Sequence, residues 1–396
     1  MTESQGLSRR ALLAGAGTLV AGAGIATIAT SAVTVRDTTT GSEGGTGPGA
    51  SLDGARREVE PAGSTQAGVA RPTTPAAHAL FATFALPDLT SLRADLAALG
   101  RAVLATVRDS GDLLPDGRGD LTVTIGLGPR PLASVDPSLP GATPMPDFVG
   151  DDAIPSERRD PDLLVAVAAS DATMLRALLD RVTSAVPGLV AGWTQHGFRA
   201  PGTGTVARNP LGYLDGIIVP DTTAELAENV WITQGALAGA TVCVLRRLRL
   251  DSRAFLALEV PARDATIGRG ADGVPLSGGS PTSQVDLDAK TPEGEYLVPA
   301  RAHARAAHPS FTGSPLMLRR GYAFDDGEVD GPAGRIADAG LLFACYQRTL
   351  DTFVRTQQRL DETDDLMAYA TPTGSASFLV LPGYDDTRPL GDALFA

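Results

Sequence analysis

Three side chains of different chemistry stand in small, turn-prone surroundings in the second half of the chain. His303 lies in Arg301-Ala-His-Ala-Arg-Ala-Ala-His-Pro309, an imidazole set among alanines. Arg319 follows sixteen positions on (319 − 303), in Leu318-Arg-Arg-Gly-Tyr-Ala-Phe324. Asp215 lies in Asn209-Pro-Leu-Gly-Tyr-Leu-Asp-Gly216, between glycines that permit turns. A neutral imidazole is a nitrogen donor for metals, and on porphyrin iron it occupies one face and leaves the other open. Charge that develops on the open face calls for a fixed cation, and arginine stays protonated at any working pH. A carboxylate nearby can take a proton from one atom and return it to another. His303, Arg319 and Asp215 can fill these three roles.

Together these segments resemble the dye-decolorising peroxidase family, whose signature is Gly-x-x-Asp-Gly with a downstream proximal histidine and distal arginine. Here the signature reads Gly212-Tyr213-Leu214-Asp215-Gly216. The likeness is greatest to the exported deferrochelatase/peroxidase branch. It runs through Ile267-Gly-Arg269, Val298-Pro-Ala-Arg-Ala-His-Ala-Arg305, Leu318-Arg-Arg-Gly-Tyr322, Asp338-Ala-Gly-Leu-Leu-Phe-Ala-Cys-Tyr-Gln347 and Thr373-Gly-Ser-Ala376.

The resemblance implies one haem b per chain, hydrogen peroxide as oxidant and bulky organic compounds as reducing substrates. It implies His303 as the proximal iron ligand, with Asp215 and Arg319 on the distal side. It also makes Asp338 the acceptor for the second ring N–H of His303, a contact that fixes tautomer and basicity. Arg305 and Arg269 are expected to meet the haem propionates, because guanidinium matches a carboxylate bidentately. The same likeness leaves open a haem-handling role, with components of an iron-uptake system as partners, and leaves open a homo-oligomer. Two departures bear on activity. Tyr213 stands where phenylalanine is usual, and Ile217 where a hydroxyl residue is usual, which keeps an inactive, structural member of the family as a third reading.

Composition narrows the field. The net charge is −13 and Lys290 is the only lysine, which argues against a nucleic-acid or anionic-membrane surface. Cys243 and Cys345 each sit inside an apolar run and are expected as buried free thiols. At the start, Ser8-Arg9-Arg10 precedes the uncharged stretch Ala14–Val33. Residues 1–35 are expected to be a twin-arginine signal, with the twin-arginine translocase as partner and an exported location, periplasmic or extracellular. Residues 36–77, rich in Gly, Thr, Ser and Pro, are expected to be a disordered linker.

The remaining chain must position the three groups. Alternating strands are expected at 78–86, 121–127, 163–169 and 190–198, with helices over 89–107 and 171–186 started by Asp88 and Asp171. A second set is expected as strands over 241–250, 340–347 and 375–381 and helices over 253–262 and 351–360. Residues 129–159 and 268–294 are expected to be long loops. The fold class is α+β: a duplicated ferredoxin-like (dimeric α+β barrel) arrangement of antiparallel sheets, in domains 78–222 and 223–396, with haem in a crevice of the C-terminal half.

Overall fold

The computed structural model describes residues 57–331 and 334–396. The expected export segment 1–35 lies outside the described residues, as do residues 36–56 of the expected linker. The first half runs β1 (His78–Ala85), α1 (Leu92–Arg108), β2 (Thr122–Leu127), α2 (Pro129–Val135), β3 (Leu163–Ala169), α3 (Leu175–Thr183) and β4 (Val190–Phe198). β1 alternates as its pattern requires. Leu80, Ala82 and Phe84 pack toward α1 and α3, while Ala79 and Phe81 join a second apolar cluster. Leu92, Leu96, Leu99, Val103 and Val107 make the buried face of α1. Each such fully buried side chain contributes roughly 1.5–3 kcal/mol.

Asp88 and Asp171 do not cap these helices. Each accepts from a threonine N–H two residues on, at 2.8 Å, forming a local turn, and the helices begin later.

The second half runs β5 (Ala207–Arg208), β6 (Leu214–Asp215), α4 (Thr223–Asn229), β7 (Thr241–Leu250), α5 (Ser252–Leu256), α6 (Val260–Ile267), α7 (His303–Ala306) and α8 (Pro309–Thr312). It continues with β8 (Leu318–Arg319), β9 (Tyr322–Gly331), β10 (Gly334–Gln347), α9 (Leu350–Thr363) and β11 (Ala370–Val380). The helix expected over 253–262 is two short ones, because Pro261 can only sit in a first helical turn. β9 was not legible as a strand. Its outer part carries Asp325, Asp326, Glu328 and Asp330 in an exposed hairpin, with no apolar alternation to reveal it.

Each half is a ferredoxin-like sheet, ordered β2-β3-β1-β4 and β9-β10-β7-β11, and every strand pair is antiparallel. The sheets join through β4–β9 and β11–β2 into one closed sheet. The strands within 78–198 and 241–380 therefore contribute two arcs of a single sheet. The register separates the thiols: Cys243 pairs with Tyr346 and Cys345 with Val244, so the two sulfurs point to opposite faces and remain free and buried.

Residues 57–77 correct the linker expectation. Gln66 is buried and donates to Ile125 O (3.0 Å) and Leu381 O (3.1 Å), while its Oε1 accepts from Ile125 N (2.8 Å). It bridges β2 and the end of β11 where direct pairing stops. Arg320 donates to Val69 O (2.7 Å) and Pro72 O (2.6 Å). A polar segment with little apolar surface is ordered here because distant side chains satisfy its backbone.

Asp338 is part of the sheet's interior, and this corrects its expected role. Both its oxygens meet the Arg247 guanidinium, at 2.9 and 2.8 Å. Arg247 is almost wholly buried and also donates to Gln195, Thr373 and Asp326 and stacks over Phe324. Asp338→Asn should therefore cost about 1–3 kcal/mol, because it removes one of the two carboxylates on the buried Arg247 and leaves Asp326 as the other. Urea unfolding checks this as a lower midpoint at unchanged slope. Loss of cofactor binding without loss of stability would restore the original assignment.

Candidate active site

The Asp215 loop is folded by its own backbone and by one asparagine. Asn209 exchanges backbone hydrogen bonds with Tyr213 and Gly212, and its Oδ1 accepts from Leu211 N (3.0 Å) and Tyr213 N (3.1 Å). β5 and β6 then pair Ala207 with Asp215. Gly216 has φ +83°, and a Cβ there would lie 2.2 Å from Thr205 O, so no other residue fits this turn. The Tyr213 hydroxyl donates to Asp264 on α6 at 2.6 Å, which ties the loop to the helix preceding Arg269. Burial and this bond push the phenol well above its ordinary pKa.

Arg319 sits on β8, which pairs with the inner end of β10. Its Nη1 donates to Ile218 O (3.0 Å) and its Nη2 to Asp215 Oδ1 (3.1 Å), while Gly216 N–H donates to the same oxygen at 2.5 Å. Asp215 lines the cavity, with its side chain 42% accessible. Burial pushes its carboxyl up, but the Arg319 cation and the Gly216 N–H outweigh that and hold it below the usual carboxylate value.

His303 begins α7, and its Nδ1 lies 2.6 Å from Asp364 Oδ2. Asp364 is fully buried, and its other oxygen accepts from Leu366 N (2.9 Å) at the start of a single turn, Asp365–Tyr369. A carboxylate can only accept, so in the neutral ring Nδ1 carries the proton and Nε2 keeps its lone pair. Burial disfavours the charged imidazole, but the Asp364 carboxylate raises its pKa overall. The backing group of His303 is thus Asp364 and not Asp338. Its one sequence signal is an acidic residue directly before the apolar turn Asp365-Leu-Met, a helix-start pattern.

Asp215, Arg319, His303 and Arg269 line one cavity, of about 210 Å³. A single water needs roughly 10–15 Å³ by such a measure, so this space is built for a ligand. Arg269 is buried in the cavity wall and bonds Gly273 O (3.1 Å), and no described carboxylate pairs with it. Burial drives its pKa down, the mark of a guanidinium short of a counter-charge. Arg305, expected beside it, is elsewhere. It donates to Val298 O (3.0 Å) and Leu287 O (2.5 Å) and packs against Tyr296, bracing the 285–298 loop.

Two wall residues were not anticipated. Arg246 faces the cavity side of β7, held by a buried pair with Asp151 at 2.6 and 2.8 Å. His308 also lines the cavity, but its Nδ1 accepts from Ser310 N (3.2 Å) at the start of α8. In the neutral ring that leaves Nε2 protonated, the opposite tautomer from His303.

Residues 206–385 match the model of the Dyp-type peroxidase C-terminal family. A dye-decolorizing peroxidase from Thermobifida fusca (strain YX) is 31% identical over 99% of this chain and 98% of its own length. The chain belongs to the dye-decolorising (DyP-type) peroxidase family. Family membership makes it a haem peroxidase, an enzyme that uses peroxide and a reducing substrate. A deferrochelatase from Yersinia pestis bv. Antiqua (strain Nepal516) is 30% identical over 76% of this chain and 74% of its own length. Among solved structures, a DyP-type peroxidase from Streptomyces coelicolor superposes with a TM-score of 0.78 at 28% identity, covering 85% of this chain and 96% of that one. An oxyferrous complex of DtpA from Streptomyces lividans gives 0.77 at 29% identity, covering 86% and 98%. These DyP-type likenesses agree with the duplicated ferredoxin-like fold described above.

Proposed function

We propose that this chain is a haem b peroxidase that reduces hydrogen peroxide while oxidising bulky organic, dye-like substrates. The observation that carries this reading is the 2.6 Å contact between His303 Nδ1 and Asp364, which in the neutral ring leaves Nε2 as a donor in the cavity that also contains the Asp215–Arg319 pair. The other residues fit the same cofactor. Leu248, Ile267, Leu341 and Phe343 offer apolar surface for a macrocycle, and the uncompensated Arg269 guanidinium suits a propionate.

Iron porphyrin, when bound, accepts oxidising equivalents from peroxide and passes them on one electron at a time. The protein residues manage the proton and the charge. Asp215 takes a proton from one peroxide oxygen and returns it to the other, which becomes the leaving group. Arg319 places a fixed positive charge where negative charge develops, and Ile218 O and Asp215 hold its guanidinium in place. Asp364 orients His303 and makes its Nε2 a stronger donor.

Reconstitution with haemin tests the reading: the protein should take up one haem per chain and then consume peroxide and bleach an anthraquinone dye at its expense. Haem uptake without turnover would leave a haem-handling role. That second reading is favoured by the relatives named deferrochelatase, and its product would be intact porphyrin freed of iron.

A further inference from the structure

We propose that Met317 is the residue that the enzyme's own peroxide site oxidises, to methionine sulfoxide, when no reducing substrate is present; this rests on the peroxidase reading above. The chain has five methionines, and two of them, Met317 and Met367, line the cavity. Met317 is half-buried two residues before Arg319 and packs against the apolar cluster that holds Phe353 and Cys345. Met367 lies on the turn that starts at Asp364, on the His303 side, and its sulfur accepts from Gln357 Nε2 at 3.8 Å. A thioether is a soft nucleophile for peroxide oxygen. Met317 lies two residues before Arg319 and lines the same cavity as the pair that would hold and protonate peroxide, and among the described residues its sulfur has no hydrogen-bond donor. Met367 is partly occupied and lies three residues after Asp364, the partner of His303.

The step balances without another reactant. A sulfur lone pair forms an S–O bond to one peroxide oxygen as the O–O bond breaks. The departing oxygen leaves as water, taking a proton relayed by Asp215, while the transferred oxygen gives up its own. Sulfur is oxidised by two electrons and the peroxide reduced by two. The sulfoxide puts a polar oxygen against the apolar cluster that holds Phe353 and Cys345, on the segment that delivers Arg319, so loss of activity should follow the modification.

Met174 is the internal control. It is also half-buried, but it packs against the first-half core at the start of α3, away from the cavity. Holoenzyme held in excess peroxide without dye would be sampled over time and its peptides weighed for the gain of one oxygen. Met317 should be modified at least about tenfold faster than Met174, a modest share of what a positioned proton donor supplies. Asp215→Asn should remove that excess and leave Met174 unchanged. Met317→Leu should hold its own starting rate longer in excess peroxide. Equal rates at Met317 and Met174 in an enzyme that consumes peroxide, or an excess that survives Asp215→Asn, would overturn the inference. Absence of peroxide consumption would instead overturn the peroxidase reading, and this inference with it.

Discussion

Arg319→Leu should slow the first peroxide-dependent step about a hundred- to a thousandfold, the usual cost of removing a fixed charge stabiliser. Asp215→Asn should slow the same step roughly a hundred- to ten-thousandfold by removing the base. The ranges overlap, so the pH profile has to separate the two roles. Arg319 and the Gly216 N–H hold the Asp215 carboxyl below its ordinary value of 3.8, against the upward push of burial. The base form therefore persists in acid, and the acid limb of the wild-type rate should lie below that value. Without Arg319, burial acts with less opposition, the pKa rises and the limb moves to higher pH. In the asparagine variant the limb should vanish. Stopped-flow rates against pH distinguish these outcomes, and the resting haem spectrum should be almost unchanged in both variants. If neither variant slows the step by even about tenfold, the distal pair is misassigned.

His303→Ala should abolish most haem retention in a protein that still folds, because α7 is short and its other contacts remain. His308 lines the same cavity, but ligation through it would require the other tautomer and the loss of its bond to Ser310 N. Asp364→Asn should be milder, about ten- to a hundredfold in affinity or activity, as for other groups that back a metal ligand. Its amide has one acceptor oxygen where the carboxylate serves both His303 and Leu366 N. Haem absorbance per chain after gel filtration reads both effects. Full occupancy with an unchanged Soret band in His303→Ala would remove the ligand assignment.

Much of this was legible in local pattern. Glycine-bracketed Asp215, the His303 segment and Arg319, first of the arginine pair ahead of Gly321, are short motifs whose chemistry depends on residue type and near neighbours. The two ferredoxin-like halves were visible because apolar alternation and helical spacing are also local properties. The exposed hairpin of β9 carried no such pattern, so it was missed. Asp88 and Asp171 looked like helix caps, but each closes a turn of its own, and a sequence window does not separate those two uses of a short acidic side chain.

What only the tertiary structure decided are the pairings between distant groups. Asp338 and Asp364 are equally acidic and both precede apolar runs. Chain folding sends one to Arg247 across β7–β10 and the other to His303, 61 residues away. Arg269 and Arg305 have the same side chain. Burial in the cavity wall leaves the first without a counter-charge, while the second is used up on the carbonyls of Leu287 and Val298. Residues 57–77 read as a linker because their own surface cannot offset the entropy of ordering them. Gln66 lodged between β2 and β11, together with Arg320 from the far half of the chain, supplies the missing partners. A sequence specifies which groups can ionise, ligate or turn; which of several like groups is desolvated beside which other depends on packing over long separations, and that appears only in three dimensions.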